Sequence, residues 1–173
     1  MAITFDPDEF YDINKSVIIC GTAPPEEPID YLMYEMRAFA NSLEIPDLKN
    51  TIDTVVSGRF WAEKSVITCH ILELEFNDYL MRMLTSATMV GKVVSLFSYE
   101  SFYPAPSGLD LDNGGAPIAD AIAGSLKRQE DVELFLTMDQ VFDFVHDHGV
   151  EVIRQCSQSK VHITSVPMGR VGT

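Results

Sequence analysis

The 173-residue chain predicts an α+β fold: a mixed, mostly antiparallel sheet with helices mainly on one face. Three observations carry that prediction. The mid-chain stretch Ser65–Tyr99 contains the longest apolar-rich run and little turn chemistry, so it should supply the centre of the core. Residues 29–43 repeat apolar side chains at helical spacing, whereas 51–57 and 131–136 carry strand-like patterns. Over residues 16–98 the elements read strand, helix, strand, strand, helix, strand, which is a ferredoxin-like element order.

Residues 1–15 read as an N-terminal arm that packs Phe5, Phe10 and Tyr11 and presents Asp6, Asp8, Glu9 and Asp12. The continuous apolar run Ser16–Cys20 has the signature of a strand buried on both faces. Gly21 and the proline-rich TAPPEEP segment end it. Pro28 then suits a first helical position, and Glu26, Glu27 and Asp30 suit the positive end of a helix dipole. Ile29, Leu32, Met33, Met36, Phe39, Ala40 and Leu43 make one apolar face, with Tyr31, Tyr34 and Arg37 off it, until Pro46 stops the helix.

Thr51–Ser57 is β-branched and bounded by Asn50 and Gly58, so it reads as a strand. In Lys64–Phe76, Val66, Thr68, His70, Leu72, Leu74 and Phe76 alternate with Ile67, Cys69, Ile71, Glu73 and Glu75. Ile67, Ile71 and Leu74 also meet helical spacing, so strand and helix both stand for 64–76. Asn77 suits a cap and Gly91 a C-terminal stop for a helix whose inner face is Leu80, Met83, Leu84 and Ala87. Lys92–Tyr99 returns to strand character, and 101–116 breaks every periodicity as a long loop.

Pro117 opens a small-residue helix, and Asp131–Leu136 alternates as a strand. Thr137 with Gln140 forms a capping box for a helix through Met138, Val141, Phe142 and Val145 that ends at Gly149. Val150–Cys156 and Lys160–Val166 then read as a hairpin, and 167–173 as a loose tail. The whole is one domain: arm 1–15, core unit 16–98, loop 101–116, C-terminal extension 117–166 and tail.

Composition narrows the function classes. Twenty-six acids against 12 bases give a formal charge of −14, a field that repels phosphate backbones and argues against direct nucleic-acid binding. The same field attracts basic partners. Cys20, Cys69 and Cys156 are widely separated, which gives neither a disulfide framework nor a zinc motif and points to free thiols in a reducing, intracellular compartment. No apolar run approaches the length of about 18 residues that a membrane span needs, and the acidic N-terminus does not read as a signal peptide. An apolar content of 46% leaves a homo-oligomeric interface open.

No catalytic motif is present. Asp110, Asp112 and Asn113 resemble the start of a calcium loop, but Gly114 and Ala121 occupy positions that need oxygen ligands. His146 and His148, two apart on a helix, diverge by roughly 200° and cannot share a metal. No metal site and no cofactor is expected. The first functional expectation is therefore a non-enzymatic acidic protein that binds a basic protein partner, of an inhibitor, immunity or viral counter-defence type. Asp6, Asp8, Glu9, Asp110 and Asp112 would supply charge, and Tyr31, Tyr34, Phe102 and Tyr103 would anchor the contact. The alternative is a small enzyme or ligand-binding domain with a pocket under the 101–116 loop, where Cys20, His70, His162, Glu73 and Glu75 are the candidate chemical groups. A homo-oligomeric structural component is the third reading.

Overall fold

The computed structural model describes residues 3–4, 11–20, 29–57, 65–90, 93–103, 118–156 and 161–164. Its strands are β1 (Ile3–Thr4), β2 (Tyr11–Cys20), β3 (Lys49–Ser57), β4 (Ser65–Phe76), β5 (Tyr79–Val90), β6 (Val93–Tyr103) and β7 (Val161–Thr164). Its helices are α1 (Ile29–Ser42), α2 (Ile118–Ser125) and α3 (Gln129–Cys156). The seven strands form one sheet in the order β1-β3-β4-β5-β6-β2-β7. Only the β1–β3 pair is parallel, so the α+β prediction with a mixed, mostly antiparallel sheet holds.

The centre of that sheet is an antiparallel meander, β3 to β6. Strand alternation decides what each face receives. Leu72, Leu74 and Phe76 of β4, Met81 and Met83 of β5, and Val94, Leu96 and Phe102 of β6 share one face and pack with all three helices in a single core. Phe102 sits at its middle, edge-on to Phe135 of α3 at 5.4 Å and stacked on Tyr79 at 5.3 Å. The opposite face is also buried at Cys69, Ile71, Ser86, Tyr99 and Ser101. Burial pushes the free Cys69 thiol up to about 12, which leaves it unreactive.

The mid-chain stretch is the core as expected, but its second piece is not a helix. Residues 79–90 are β5, so the order over 16–98 is strand, helix and four strands rather than the ferredoxin-like order. Asn77 does not cap a helix. It takes φ 50° in the two-residue turn Asn77–Asp78, with Phe76 paired directly to Tyr79. Asn tolerates that left-handed backbone better than most residues, and two-residue turns of this kind match strand twist. Pairing on both sides, with β4 and β6, then outweighs the helical spacing of Leu80, Met83, Leu84 and Ala87.

The second correction is α3. The expected strand 131–136, helix 137–149 and strand 150–156 are one helix of 28 residues. Phe135, Met138, Val141, Phe142, Val145, Gly149, Val152 and Ile153 form an unbroken buried stripe along it. Gly149 is not a stop signal: a Cβ there would lie 2.9 Å from the Met36 sulfur. Its missing side chain lets α3 approach α1. With 150–156 helical, β7 pairs with β2 instead of forming the expected hairpin.

The other boundaries shift less. Residues 3–4 and 11–15 of the expected arm belong to β1 and β2, and 101–103 of the expected loop continue β6. The remainder of that loop and the 167–173 tail lie outside the described residues. No described helix is long and apolar enough to cross a membrane.

Candidate functional site

The helix-facing side of the sheet is not uniformly apolar. Register places His70 of β4 opposite Thr85 of β5, Thr85 opposite Ser98 of β6, and Ser98 opposite Ser16 of β2. The next row is Leu72, Met83, Glu100 and Asn14. His70, Thr85, Ser98 and Glu100 are all buried. One polar row and the single buried carboxyl of Glu100 therefore interrupt a sheet face whose other residues, Leu72, Met83, Leu74, Met81 and Phe102, are core.

One flank of α3 lies over these rows. Asp139, Asp143 and His146 fall at i, i+4 and i+7, about 60° round the helix from one another at most, so they share that flank. The other flank turns to α1, where the His148 ring stacks on Phe39 at 4.4 Å. The two histidines thus diverge, as their spacing requires. Neither sits at a helix terminus, because α3 continues to Cys156.

His146 Nδ1 lies 2.7 Å from Ser98 Oγ, and Ser98 Oγ lies 3.3 Å from Thr85 Oγ1. Burial lowers the His146 pKa, partly opposed by the Asp147 and Asp143 carboxylates, so the imidazole is held toward its neutral form. Glu100 is 4% exposed. Its pKa is pushed up to about 8, first by burial and then by the like charges of Asp139 and Asp143. Asp139, which is half-buried, and Asp143, which is exposed at the edge of the flank, are also raised, first by desolvation, with Asp143 and Asp120 acting on Asp139, and Asp147, opposed by His146, on Asp143.

His70 adds a second acceptor to this interior. Asn50 Nδ2 donates to the Arg37 carbonyl and to Asn41 Oδ1, each at 2.9 Å, which turns Asn50 Oδ1 toward His70 Nε2 at 2.6 Å. Nε2 must then carry the proton, leaving Nδ1 as a bare lone pair. That nitrogen is buried with no partner. Burial, with a smaller push from Arg37, lowers the His70 pKa to about 4, so the ring is neutral near pH 7.

The groups expected to act together are split between the two faces. His70 is on the helix face, while Glu73 and Glu75 alternate to the opposite one. There Glu73 meets Arg82 Nε at 2.5 Å and Glu75 meets Lys49 Nζ at 2.8 Å. His162 is paired with Ile19, the register row of Ser95, and Cys20 with Val94, which puts the two on opposite faces as well. The side chains of Cys20 and His162 lie outside the described residues. Among the expected partner anchors, Phe102 is fully buried and cannot meet a partner, whereas Tyr31, Tyr34 and Tyr103 are exposed. Asp6, Asp8, Glu9, Asp110 and Asp112 lie outside the described residues.

Glu100, Asp139, Asp143 and His146 with Ser98 were the missed group. Their signal was present in the alternation Leu96, Ser98, Glu100, Phe102 and in the i, i+4, i+7 spacing on α3. Among the described residues, no group of three or more His, Cys, Asp or Glu side chains is arranged to hold a metal ion.

No family model matches the chain, and no curated protein matches it. Among solved structures, it is similar to the di-domain ARO/CYC StfQ from the steffimycin biosynthetic pathway at 10% identity and TM-score 0.35, over 87% of this chain and 51% of that one. It is similar to the di-domain ARO/CYC BexL from the BE-7585A biosynthetic pathway at 13% identity and TM-score 0.30, over 83% of this chain and 51% of that one. The chain spans about half the length of each. Likenesses at this level carry no assignment of activity.

Proposed function

We propose that the protein binds a small organic molecule in the interior between the sheet and the Asp139–His146 flank of α3. The observation that supports this reading is His70 Nδ1, a buried nitrogen with no partner among the described residues, in the register row that runs through Thr85 to Ser98 and its contact with His146. A buried polar group without a partner costs on the order of 1–3 kcal/mol, more when charged, and a bound molecule offsets that cost by supplying the missing contact. The apolar neighbours Met83, Leu96 and Phe102 would take the ligand's hydrocarbon.

Titration with Nile red, a neutral dye whose emission shifts to the blue in apolar surroundings, tests the reading. One saturable site is expected, lost in Ser98→Phe, which fills the polar row from within. Absence of saturable uptake, or uptake unchanged in a folded Ser98→Phe variant, would overturn it.

A second reading has its own support on the outer surface. Tyr34 and Phe144 are 62% and 57% exposed, and exposed or part-exposed acids (Asp30, Glu35, Asp143, Asp147) lie beside them on α1 and α3. Such a surface suits docking of a basic protein, the first expectation from composition. Binding of a lysine-rich partner should then weaken steeply between 50 mM and 500 mM salt, and indifference to salt would sink this reading.

A further inference from the structure

We infer that the molecule bound in this interior is an uncharged alcohol, whose hydroxyl donates its proton to His70 Nδ1. The inference rests on the binding reading above and deepens it by naming the ligand's chemistry and the atom that recognises it.

The polarity of that atom is fixed by hydrogen bonds that begin on α1. The Arg37 carbonyl can only accept, so the Asn50 atom 2.9 Å from it is the amide nitrogen, which also donates to Asn41 Oδ1. Asn50 Oδ1 is therefore the atom 2.6 Å from His70 Nε2, and it accepts the Nε2 proton. A neutral imidazole holds one ring proton, so Nδ1 is left as an acceptor. Burial favours that neutral ring at pH 7. Nδ1 is enclosed and meets no donor among the described residues.

The surroundings of Nδ1 decide what kind of donor fits. Thr85 stands directly opposite His70 across the β4–β5 pair, where facing side chains have Cβ atoms about 5 Å apart. Its hydroxyl is engaged instead with Ser98 Oγ at 3.3 Å, and Ser98 Oγ with His146 Nδ1 at 2.7 Å. The row's hydrogen bonds thus run away from His70 toward α3. His70 and Thr85 are fully buried, as are Leu72 and Met83 of the next row. A cation entering such surroundings would lose its hydration without a fixed counter-ion, since Glu100, the carboxyl in that next row, keeps its proton near neutral pH. An anion would set acceptors against an acceptor. A hydroxyl brings the missing proton on one small uncharged group and leaves its hydrocarbon to the apolar side chains of the next row.

Competition against Nile red in the whole chain at pH 7 tests this with n-hexanol and methyl n-pentyl ether, isomers that differ in the hydroxyl proton, and with n-hexylammonium and n-hexanoate. Hexanol is expected to bind at least about tenfold more tightly than the ether or either ion, the effect of one hydrogen bond to an otherwise unpaired buried acceptor. His70→Leu should remove the preference between the isomers while dye uptake persists. A direct readout needs no variant. In the nitrogen NMR spectrum of the imidazoles, His70 Nε2 should be protonated and Nδ1 bare, and hexanol but not the ether should move the Nδ1 resonance upfield. Equal binding of the two isomers would overturn the inference, as would hexylammonium binding as tightly as hexanol. So would a proton on Nδ1 in the unliganded chain, an Nδ1 resonance indifferent to hexanol, or a preference that survives in folded His70→Leu. Absence of saturable dye uptake in the unmodified chain would instead overturn the binding reading itself, so the two failures are distinguishable.

Discussion

On the sheet face turned away from the helices, Glu73 lies 2.5 Å from Arg82 and Glu75 lies 2.8 Å from Lys49. On the helix face, Glu100 is enclosed with only carboxylates acting on it among the described residues. Glu73 and Arg82 are themselves largely buried, with side chains 14% and 11% exposed, so burial alone does not separate the two faces. The difference is the counter-charge. One face has its carboxylates completed by cations of the chain, although Ser101 Oγ is buried there without a partner among the described residues; the other sets Glu100 beside carboxylates.

Removing the counter-charge on the completed face should have the largest effect. Arg82→Met leaves Glu73 mostly enclosed without its cation, and a loss of roughly 2–3 kcal/mol is expected, somewhat below the cost for a fully buried pair. Urea denaturation at pH 7 measures it. The double variant Glu73→Gln/Arg82→Met should recover much of the loss, since the penalty is a stranded charge rather than a missing attraction. A double variant as unstable as the single would show that packing around Arg82 matters more than charge.

The next effect is the pH dependence of the unfinished face. A carboxyl whose folded pKa is raised from 4.5 to about 8 holds its proton longer folded than unfolded. Its contribution is therefore most favourable below pH 4.5 and is lost as pH rises through about 8. The full cost is roughly 5 kcal/mol, of which about 2 kcal/mol falls between pH 6.5 and 8.5. His70 and His146, whose pKa values are lowered, act on the acid side of that window. Unfolding free energy should fall across it in the unmodified chain and stay nearly level in Glu100→Gln. Parallel slopes would mean that Glu100 is already ionised and paired.

How much of this the sequence carried depends on how local the signal was. Helix α1 was legible because Pro28, a four-turn apolar face and Pro46 all sit within the segment itself. Strand β4 was legible as an alternation, although its helical spacing competed. Strand β5 was not, because Asn77 serves equally as a cap or as a positive-φ turn residue, and only pairing with β4 and β6 decides between them. Gly149 read as a helix stop because its real reason, the Met36 side chain of α1, is remote in sequence. The site failed for the same cause. Glu100 faces inward only once β6 runs on to Tyr103, and Asp139, Asp143 and His146 share a flank only once α3 is continuous.

The smallest expected effect comes from the other pair on the completed face. Lys49 and Glu75 are 57% and 65% exposed at the side chain, and their contact raises the Lys49 pKa and lowers that of Glu75. Water already solvates both charges, so the contact gains little over hydration, and ordering two long side chains opposes the gain. The lowered Glu75 pKa means that any contribution is present above the unfolded value of 4.5 and disappears as pH falls below it. Glu75→Gln should therefore unfold at the same urea midpoint as the unmodified chain at pH 7, in low and in high salt. A loss rivalling that of Arg82→Met would show that pairing stabilises this face whether or not it is enclosed. The contrast drawn with Glu100 would then be one of partners alone, with burial playing no part.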